Sequence, residues 1–146
     1  MTLARILIAD DYEDNRELLR LMLERAGYSV RETRNGHEFL AAAQAELPDI
    51  ALIDLSMPVL DGWATLDALR ADERTRRVHC IAVTALAAEQ DRQRALDAGF
   101  DAYLSKPYRS KDLLALVERL LLESRRPDAR LDNRRKSRDG RRTPHA

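Results

Sequence analysis

Apolar residues along the chain form short runs that alternate with longer amphipathic stretches. The first run, residues 3–9, has the length of a buried strand and stops at Asp10-Asp11. Over residues 14–26 apolar side chains recur at three- and four-residue spacing, which predicts a helix, and Gly27 stands at the position of a left-handed C-cap. The chain is therefore predicted to begin with a buried strand and an amphipathic helix.

The same alternation continues to about residue 123. The further predicted strands are residues 28–33, 50–53, 79–83 and 102–105. The further predicted helices are residues 38–45 after an Asn35-Gly36 turn, 63–71, 88–98 closed by Gly99, and 111–123 with Ser110 as the N-cap. Strands that are apolar throughout need cover on both faces, and strand–helix alternation favours right-handed crossovers. The pattern thus predicts a doubly wound α/β domain with a parallel sheet.

Polar side chains stand where four of these strands end. Asp10 and Asp11 follow the first strand, Asp54 the third, Thr84 the fourth and Lys106 the fifth. Taken singly, an aspartate in such a place often caps a helix and a lysine is usually solvated. The carboxyl ends of parallel strands share one rim, however, and ligands of doubly wound sheets bind there. The five residues together predict a common site.

The residue types at this rim favour metal-assisted phosphoryl chemistry. Three carboxylates repel one another by on the order of a few kcal/mol per pair, so the cluster requires a cation. Oxygen ligands favour Mg²⁺, for which Mn²⁺ is a possible substitute. Beside the ion, Asp54 is predicted to attack phosphorus, with Lys106 and the Thr84 hydroxyl stabilising the phosphoryl oxygens. The sequence has no Gly-rich phosphate loop, so it predicts a phosphoacceptor and not a user of ATP.

Four motifs, in this order, resemble the receiver domains of bacterial two-component response regulators, including stand-alone regulators of chemotaxis and the cell cycle. The resemblance covers about residues 3–122. The motifs are Ile8-Ala9-Asp10-Asp11 with Asn15, Asp54-Leu55-Ser56-Met57-Pro58 with Asp61-Gly62, Val83-Thr84-Ala85, and Tyr103-Leu104-Ser105-Lys106-Pro107. The resemblance implies a flavodoxin-like receiver fold, in which a five-stranded parallel sheet has the strand order 2-1-3-4-5.

The resemblance also implies individual roles. Asp54 is the expected phosphoacceptor; Asp11, Asp54 and the backbone carbonyl of Ser56 are expected to contact the metal, and Asp10 to help place it, chiefly through water. Thr84 and Tyr103 are expected to form a switch in which the hydroxyl moves toward the phosphoryl group and the aromatic ring turns inward. The Lys106–Pro107 peptide is expected to be cis, although few X-Pro bonds are.

The implied function is phosphoryl acceptance from a histidine kinase or a histidine phosphotransfer protein, without enzymatic turnover. Output would come from phosphorylation-dependent binding of a target protein. A phosphorelay intermediate or a phosphate sink is an open alternative, since the sequence does not separate these roles. An Asp-based phosphatase would need a second acid two residues after its nucleophile, and that position is Ser56.

Charge divides the chain into two parts, although the formal net charge is zero. Residues 124–146 carry nine Arg or Lys against three Asp and have no apolar periodicity, so they are predicted to be a disordered tail after a receiver domain at residues 1–123. The tail has no aromatic residues among its basic ones, and nucleic-acid binding through it is a less favoured alternative.

No apolar run is long enough for a membrane span, and no secretory signal precedes the first strand, so a cytoplasmic location is expected.

Overall fold

The structure, a computed structural model, describes residues 3–57, 59–85 and 88–124. Within these ranges strands and helices alternate from start to end. The strands are β1 Arg5–Ala9, β2 Ser29–Thr33, β3 Ile50–Asp54, β4 His79–Thr84 and β5 Ala102–Ser105. The helices are α1 Glu13–Arg25, α2 Gly36–Ala45, α3 Gly62–Ala71, α4 Glu89–Ala98 and α5 Ser110–Ser124.

The strands form one parallel sheet in the order β2-β1-β3-β4-β5. The chain moves outward from β1 to β2 and then crosses back to β3, so the direction of winding reverses between β1 and β3. Ligands of such sheets bind at this reversal, beyond the carboxyl ends of the strands. The predicted doubly wound fold and its strand order are confirmed.

Alternate side chains of the strands enter two separate apolar cores, one on each face of the sheet. One core packs under α1 and α5, where Leu19, Leu23, Leu113, Val117 and Leu120 are buried. The other packs under α2, α3 and α4, where Phe39, Ala43, Leu66, Leu69 and Ala95 are buried. Because both faces are covered, β1, β3 and β4 are apolar almost throughout, and the polar residues are confined to their ends.

The N-terminal caps of two helices differ from the prediction. Asn35 and Gly36 do not form a separate turn: α2 begins at Gly36, and the Asn35 side chain caps it by accepting a hydrogen bond from the Glu38 N–H at 2.9 Å. Ser110 is the first residue of α5 and not its N-cap, since the Arg109 carbonyl already accepts hydrogen bonds from the first turn. In both cases the helical pattern fixes the element, whereas its first residue depends on the hydrogen bonds of the preceding loop.

The predicted tail lies almost entirely outside the described residues. Helix α5 includes Ser124, and residues 125–146 follow it, so the domain boundary and the disorder of the tail stay predictions. Cys80 is fully buried in β4, as its apolar neighbours predict. In the part of the chain that the structure describes, no helix combines the length and apolarity that a bilayer crossing requires.

Val59, in the loop between β3 and α3, has a left-handed backbone with φ of 68° and a side chain that is 83% exposed. A β-branched residue in this region is strained by about 1–2 kcal/mol, and the exposed side chain offers little packing in return. Asn tolerates the left-handed conformation well.

We therefore expect Val59→Asn to raise the free energy of unfolding by about 1 kcal/mol, measured by urea denaturation. Val59→Thr is the matched control, because it is polar yet keeps the β-branch and hence the strain. Equal stability of the two variants would show that polarity, and not backbone strain, is responsible.

Candidate functional site

Sheet register brings the ends of β1 and β3 together. Ala9 pairs with Ile53, so the residues that follow, Asp10 and Asp54, lie side by side at the winding reversal. Asp10, Asp11 and Asp54 each direct a carboxylate oxygen to one place, and the three oxygens lie within 4.8 Å of one another. Asp10 and Asp54 are buried, whereas Asp11 is exposed. The cluster is thus open to solvent on the Asp11 side.

Lys106 brings a positive charge to the same cluster from β5, the strand beyond β4. Its Nζ lies 3.3 Å from Asp54 Oδ2 and 3.7 Å from Asp10 Oδ2. The backbone is held in place because the Lys106 N–H donates to the Thr84 carbonyl at 2.7 Å. The Lys106–Pro107 peptide is cis, as expected. One ammonium therefore faces two buried carboxylates.

The two carboxylate oxygens of Asp10 have different surroundings. Its Oδ1 accepts a hydrogen bond from the Tyr12 N–H at 2.9 Å, whereas Oδ2 is buried and has no hydrogen-bond partner among the described residues. Burial raises the pKa of this carboxyl above its ordinary value; the Tyr12 N–H and Lys106 act in the opposite direction, and Asp54 and Asp11 raise it further. An unpaired buried carboxylate oxygen beside two other acids fits a hard divalent cation.

The loop after Asp54 supports the carboxylate of this residue. Asp54 Oδ1 accepts a hydrogen bond from the Ser56 N–H at 2.9 Å, and the Ser56 side chain is exposed. Gly62 packs directly against the backbone of this loop, where a Cβ atom would lie 2.5 Å from the Asp54 carbonyl oxygen. Asp61 caps α3 by accepting from the Ala64 N–H at 2.9 Å. The start of α3 therefore rests on the main chain of Asp54.

Thr84 and Tyr103 lie on neighbouring strands and on the same face of the sheet. Thr84 is buried at the end of β4, one residue beyond the pairing partner of Asp54. Tyr103 pairs with Ala82, is half-buried, and packs against the core under α2, α3 and α4. Burial raises the pKa of its phenol, and Asp91 of α4 adds to the effect. Of the predicted switch pair, Thr84 thus lies beside the end of β3, and Tyr103 lies close to α4.

Two residues near the cluster were not predicted to take part in it. Arg16 of α1 donates from Nη1 to the backbone carbonyl of Asp10 at 2.9 Å. Tyr108, two residues after Lys106, is half-buried. Its burial raises the pKa of the phenol to about 12, and the negative charge of Asp10 is a smaller cause of the same shift. The sequence carries no signal for the Arg16 contact, since a hydrogen bond to a backbone carbonyl requires no complementary residue type.

Comparison with known proteins decides the family. Residues 6–118 match the model of a family described as the response regulator receiver domain. The chain belongs to this family. Receiver-domain response regulators are generally signalling proteins rather than classic enzymes, and receiver domains bind Mg²⁺ at an acidic pocket.

Relatives include both short and longer response regulators. This receiver chain is 38% identical over 102 residues to the polar-differentiation response regulator DivK of Brucella anthropi, which covers 70% of this chain and 83% of that protein. It is 39% identical over 117 residues to the DNA-binding dual master transcriptional regulator RpaA of Synechocystis sp., covering 80% of this chain. The match takes in 48% of that regulator, so this chain corresponds to about half of it.

Solved receiver structures have the same fold. The chemotaxis protein CheY4 of Vibrio cholerae matches with a TM-score of 0.77 at 28% identity, over 82% of this chain and 99% of that chain. The receiver domain of a sensor histidine kinase from Pseudomonas aeruginosa matches with a TM-score of 0.76 at 34% identity, over 82% and 98%. That structure has a magnesium ion coordinated in its active-site cleft.

The raised pKa of Asp10 predicts a pH-dependent cost of folding. The unfolded chain loses this proton near pH 3.8, before the folded protein does, so the folded state binds more protons and its stability falls as pH rises above that value. Asp10→Asn removes this fall. Without divalent cations at neutral pH, we expect the variant to be more stable than the wild type by about 1 kcal/mol.

Urea denaturation in EDTA at several pH values measures this difference. The acids whose pKa is lowered in the folded state, such as Glu38 and Asp72, are present in both proteins and cancel. A stability difference that stays constant from acid to neutral pH would contradict the prediction.

Proposed function

We propose that this receiver accepts a phosphoryl group on Asp54 with the help of a bound divalent cation, and that it signals through phosphorylation-dependent protein binding. The observation that supports this most strongly is the meeting of three carboxylates within 4.8 Å, with the Lys106 ammonium 3.3 Å from the proposed acceptor. These groups come from three different strand ends. Such an arrangement destabilises the fold unless it has a ligand to bind.

Asp54 is the proposed nucleophile. A carboxylate oxygen of Asp54 forms a bond to phosphorus while the bond from phosphorus to the donor nitrogen breaks, which gives an aspartyl phosphate and a free histidine. The Ser56 N–H fixes the orientation of the carboxylate through Oδ1. Lys106 already lies beside Oδ2, so it is placed to stabilise the negative charge that the phosphoryl oxygens bring.

Mg²⁺ is the proposed cation, with Mn²⁺ as a possible substitute. The side chains of Asp10, Asp11 and Asp54 and the backbone carbonyl of Ser56 would hold it; the unpaired Oδ2 of Asp10 supports this set. When bound, the ion neutralises the carboxylates and the transferring oxygens. The exposure of Asp11 keeps this side of the cluster open to a phosphodonor.

Thr84 and Tyr103 are proposed to report the phosphoryl group to the surface. Both side chains lie on the face of the sheet that α4 covers. Among the described side chains of α4, Ala95 is the one that is buried, so this helix has few apolar contacts to lose when it moves. A phosphoryl group shifts such an element only by interacting better with one of its two positions, and the Thr84 hydroxyl and Lys106 are the groups proposed to make that interaction.

A histidine kinase or a histidine phosphotransfer protein is the proposed donor, and a target protein the proposed output. Transfer onward to a histidine, as a relay or a phosphate sink, is the alternative. The two roles differ in one measurable property: a switch gains affinity for its target on phosphorylation, whereas a relay returns the group to a phosphotransfer histidine. The proposed cytoplasmic location follows from the histidine-kinase partner.

Acetyl phosphate tests the acceptor without a partner protein. We expect intact-mass measurement to show addition of one phosphoryl unit to the wild type in Mg²⁺ and none in EDTA, because the uncompensated carboxylates repel the anionic donor. Asp54→Asn should give no addition under either condition. Asp14→Asn is the matched control, since it removes an exposed acid of α1 outside the cluster and should be phosphorylated like the wild type.

Beryllium fluoride provides a second reading of the same site. Saturable binding should require both Mg²⁺ and the Asp54 carboxylate. Phosphorylation of Asp54→Asn at the wild-type rate, or a wild type that never gains a phosphoryl unit from a competent donor, would overturn the proposed function.

A further inference from the structure

We infer that Arg16 is a positioning residue for the acidic cluster: it holds the peptide between Asp10 and Asp11 and so orients the two carboxylates that meet Asp54. The inference rests on the proposed function, because it concerns how the same site is prepared for a cation. Arg16 itself does not join the cluster, since its guanidinium contacts the main chain and Glu32.

The contact that carries the inference is the hydrogen bond from Arg16 Nη1 to the Asp10 carbonyl oxygen, at 2.9 Å. That carbonyl belongs to the peptide group that joins Asp10 to Asp11. Because the peptide is planar, fixing its oxygen also fixes the direction of the Asp11 N–H and the position of the Asp11 Cα. One guanidinium contact therefore sets the orientation of two consecutive acids.

The other polar atoms of Asp10, apart from Oδ2, also have hydrogen-bond partners. The backbone N–H donates to the Thr33 carbonyl at 3.2 Å, and Oδ1 accepts from the Tyr12 N–H at 2.9 Å. With Arg16 on the carbonyl, Oδ2 is left as the buried oxygen without a hydrogen-bond partner among the described residues, and it is the oxygen that faces Lys106. Every hydrogen bond to Asp10 thus restrains it while leaving this oxygen for a ligand.

Glu32 on β2 forms an ion pair with Arg16 and restrains its side chain. The Arg16 Nε lies 3.4 Å from Glu32 Oε1, and the other oxygen of Glu32 lies 2.8 Å from Arg20 Nε, one turn further along α1. The Arg16 side chain is 12% exposed, so the guanidinium is largely shielded from water. Its planar fork lets different nitrogens engage Asp10 and Glu32 at the same time, which a lysine ammonium does less well.

The position of Arg16 in the helix argues against a purely helical role. It lies in the second turn of α1, directly after a first turn that carries Glu13 and Asp14. The macrodipole favours acids in the first turn and has largely fallen off by the second, so it gives a cation at Arg16 no stabilisation. The partners of Arg16 are instead the Asp10 carbonyl and Glu32, which lie at the rim of the sheet that carries the acidic cluster.

Arg20 offers a matched control, because it pairs with the same Glu32 carboxylate but does not touch Asp10. Mg²⁺ affinity is measured on the full chain by following the amide resonances of Asp11 and Gly62 during MgCl₂ titration at constant ionic strength. We expect Arg16→Gln to weaken Mg²⁺ binding about tenfold, as for other residues that orient metal ligands. Arg20→Gln should bind Mg²⁺ as the wild type does, with thermal unfolding recorded for both variants.

The outcomes separate the inference from the proposed function. Equal Mg²⁺ dissociation constants for Arg16→Gln, Arg20→Gln and the wild type would overturn the role of Arg16 and leave the metal site intact. A wild type with no saturable shift at Asp11 would overturn the metal site itself. If Arg16→Gln unfolds, Arg16→Lys against Arg20→Lys decides the matter: a severalfold weakening in the first variant alone supports the inference, and equal affinities overturn it.

Discussion

The repulsion among Asp10, Asp11 and Asp54 is the interaction on which the rest of the site depends. Two of the three carboxylates are buried, and among the described residues a single ammonium, that of Lys106, lies near enough to offset them. At an effective dielectric near 20, like charges about 4 Å apart cost roughly 4 kcal/mol per pair, so one cation does not balance three anions. The sheet forces the acids together, and under the proposed function this uncompensated negative charge attracts a divalent cation, which in turn offsets the repulsion between the carboxylates and an anionic phosphoryl donor.

The winding of the sheet explains how residues so distant in sequence reach one place. Because the chain reverses direction between β1 and β3, the ends of these strands are adjacent, and the residues that follow them meet at the place where ligands of such sheets bind. Asp54 is also linked by packing to the α3–α4 surface. Gly62 rests on the Asp54 backbone, and the next residue, Trp63, packs edge-on against Phe100 with its ring 4.2 Å from the guanidinium of Arg94. The Asp54 loop is therefore connected to α4 by direct packing through Gly62 and Trp63.

The sequence predicted the structure best where an apolar run of strand length ends at a polar residue. Apolar runs that stop at Asp54 or Thr84 predicted the strands, their parallel packing and the common rim, because a strand buried on both faces leaves its end as the one place for a polar residue. The start of α2 was not predicted correctly, because the capping by Asn35 depends on a loop conformation that periodicity does not record. The contact of Arg16 with Asp10 was missed for a different reason: a hydrogen bond to a backbone carbonyl leaves no complementary residue type in the sequence.

The most direct test of the central claim is the stability of the protein as a function of Mg²⁺ at constant ionic strength, compared between the wild type and Asp11→Asn. A ligand that binds only the folded state stabilises it by about 2.7 kcal/mol at a hundred times its dissociation constant. Since the exposed Asp11 side chain contributes little to the fold, the account predicts a rise in the unfolding midpoint with Mg²⁺ in the wild type and a much smaller rise in the variant. A wild-type midpoint that does not respond to Mg²⁺, or an equal response in both proteins, would contradict it.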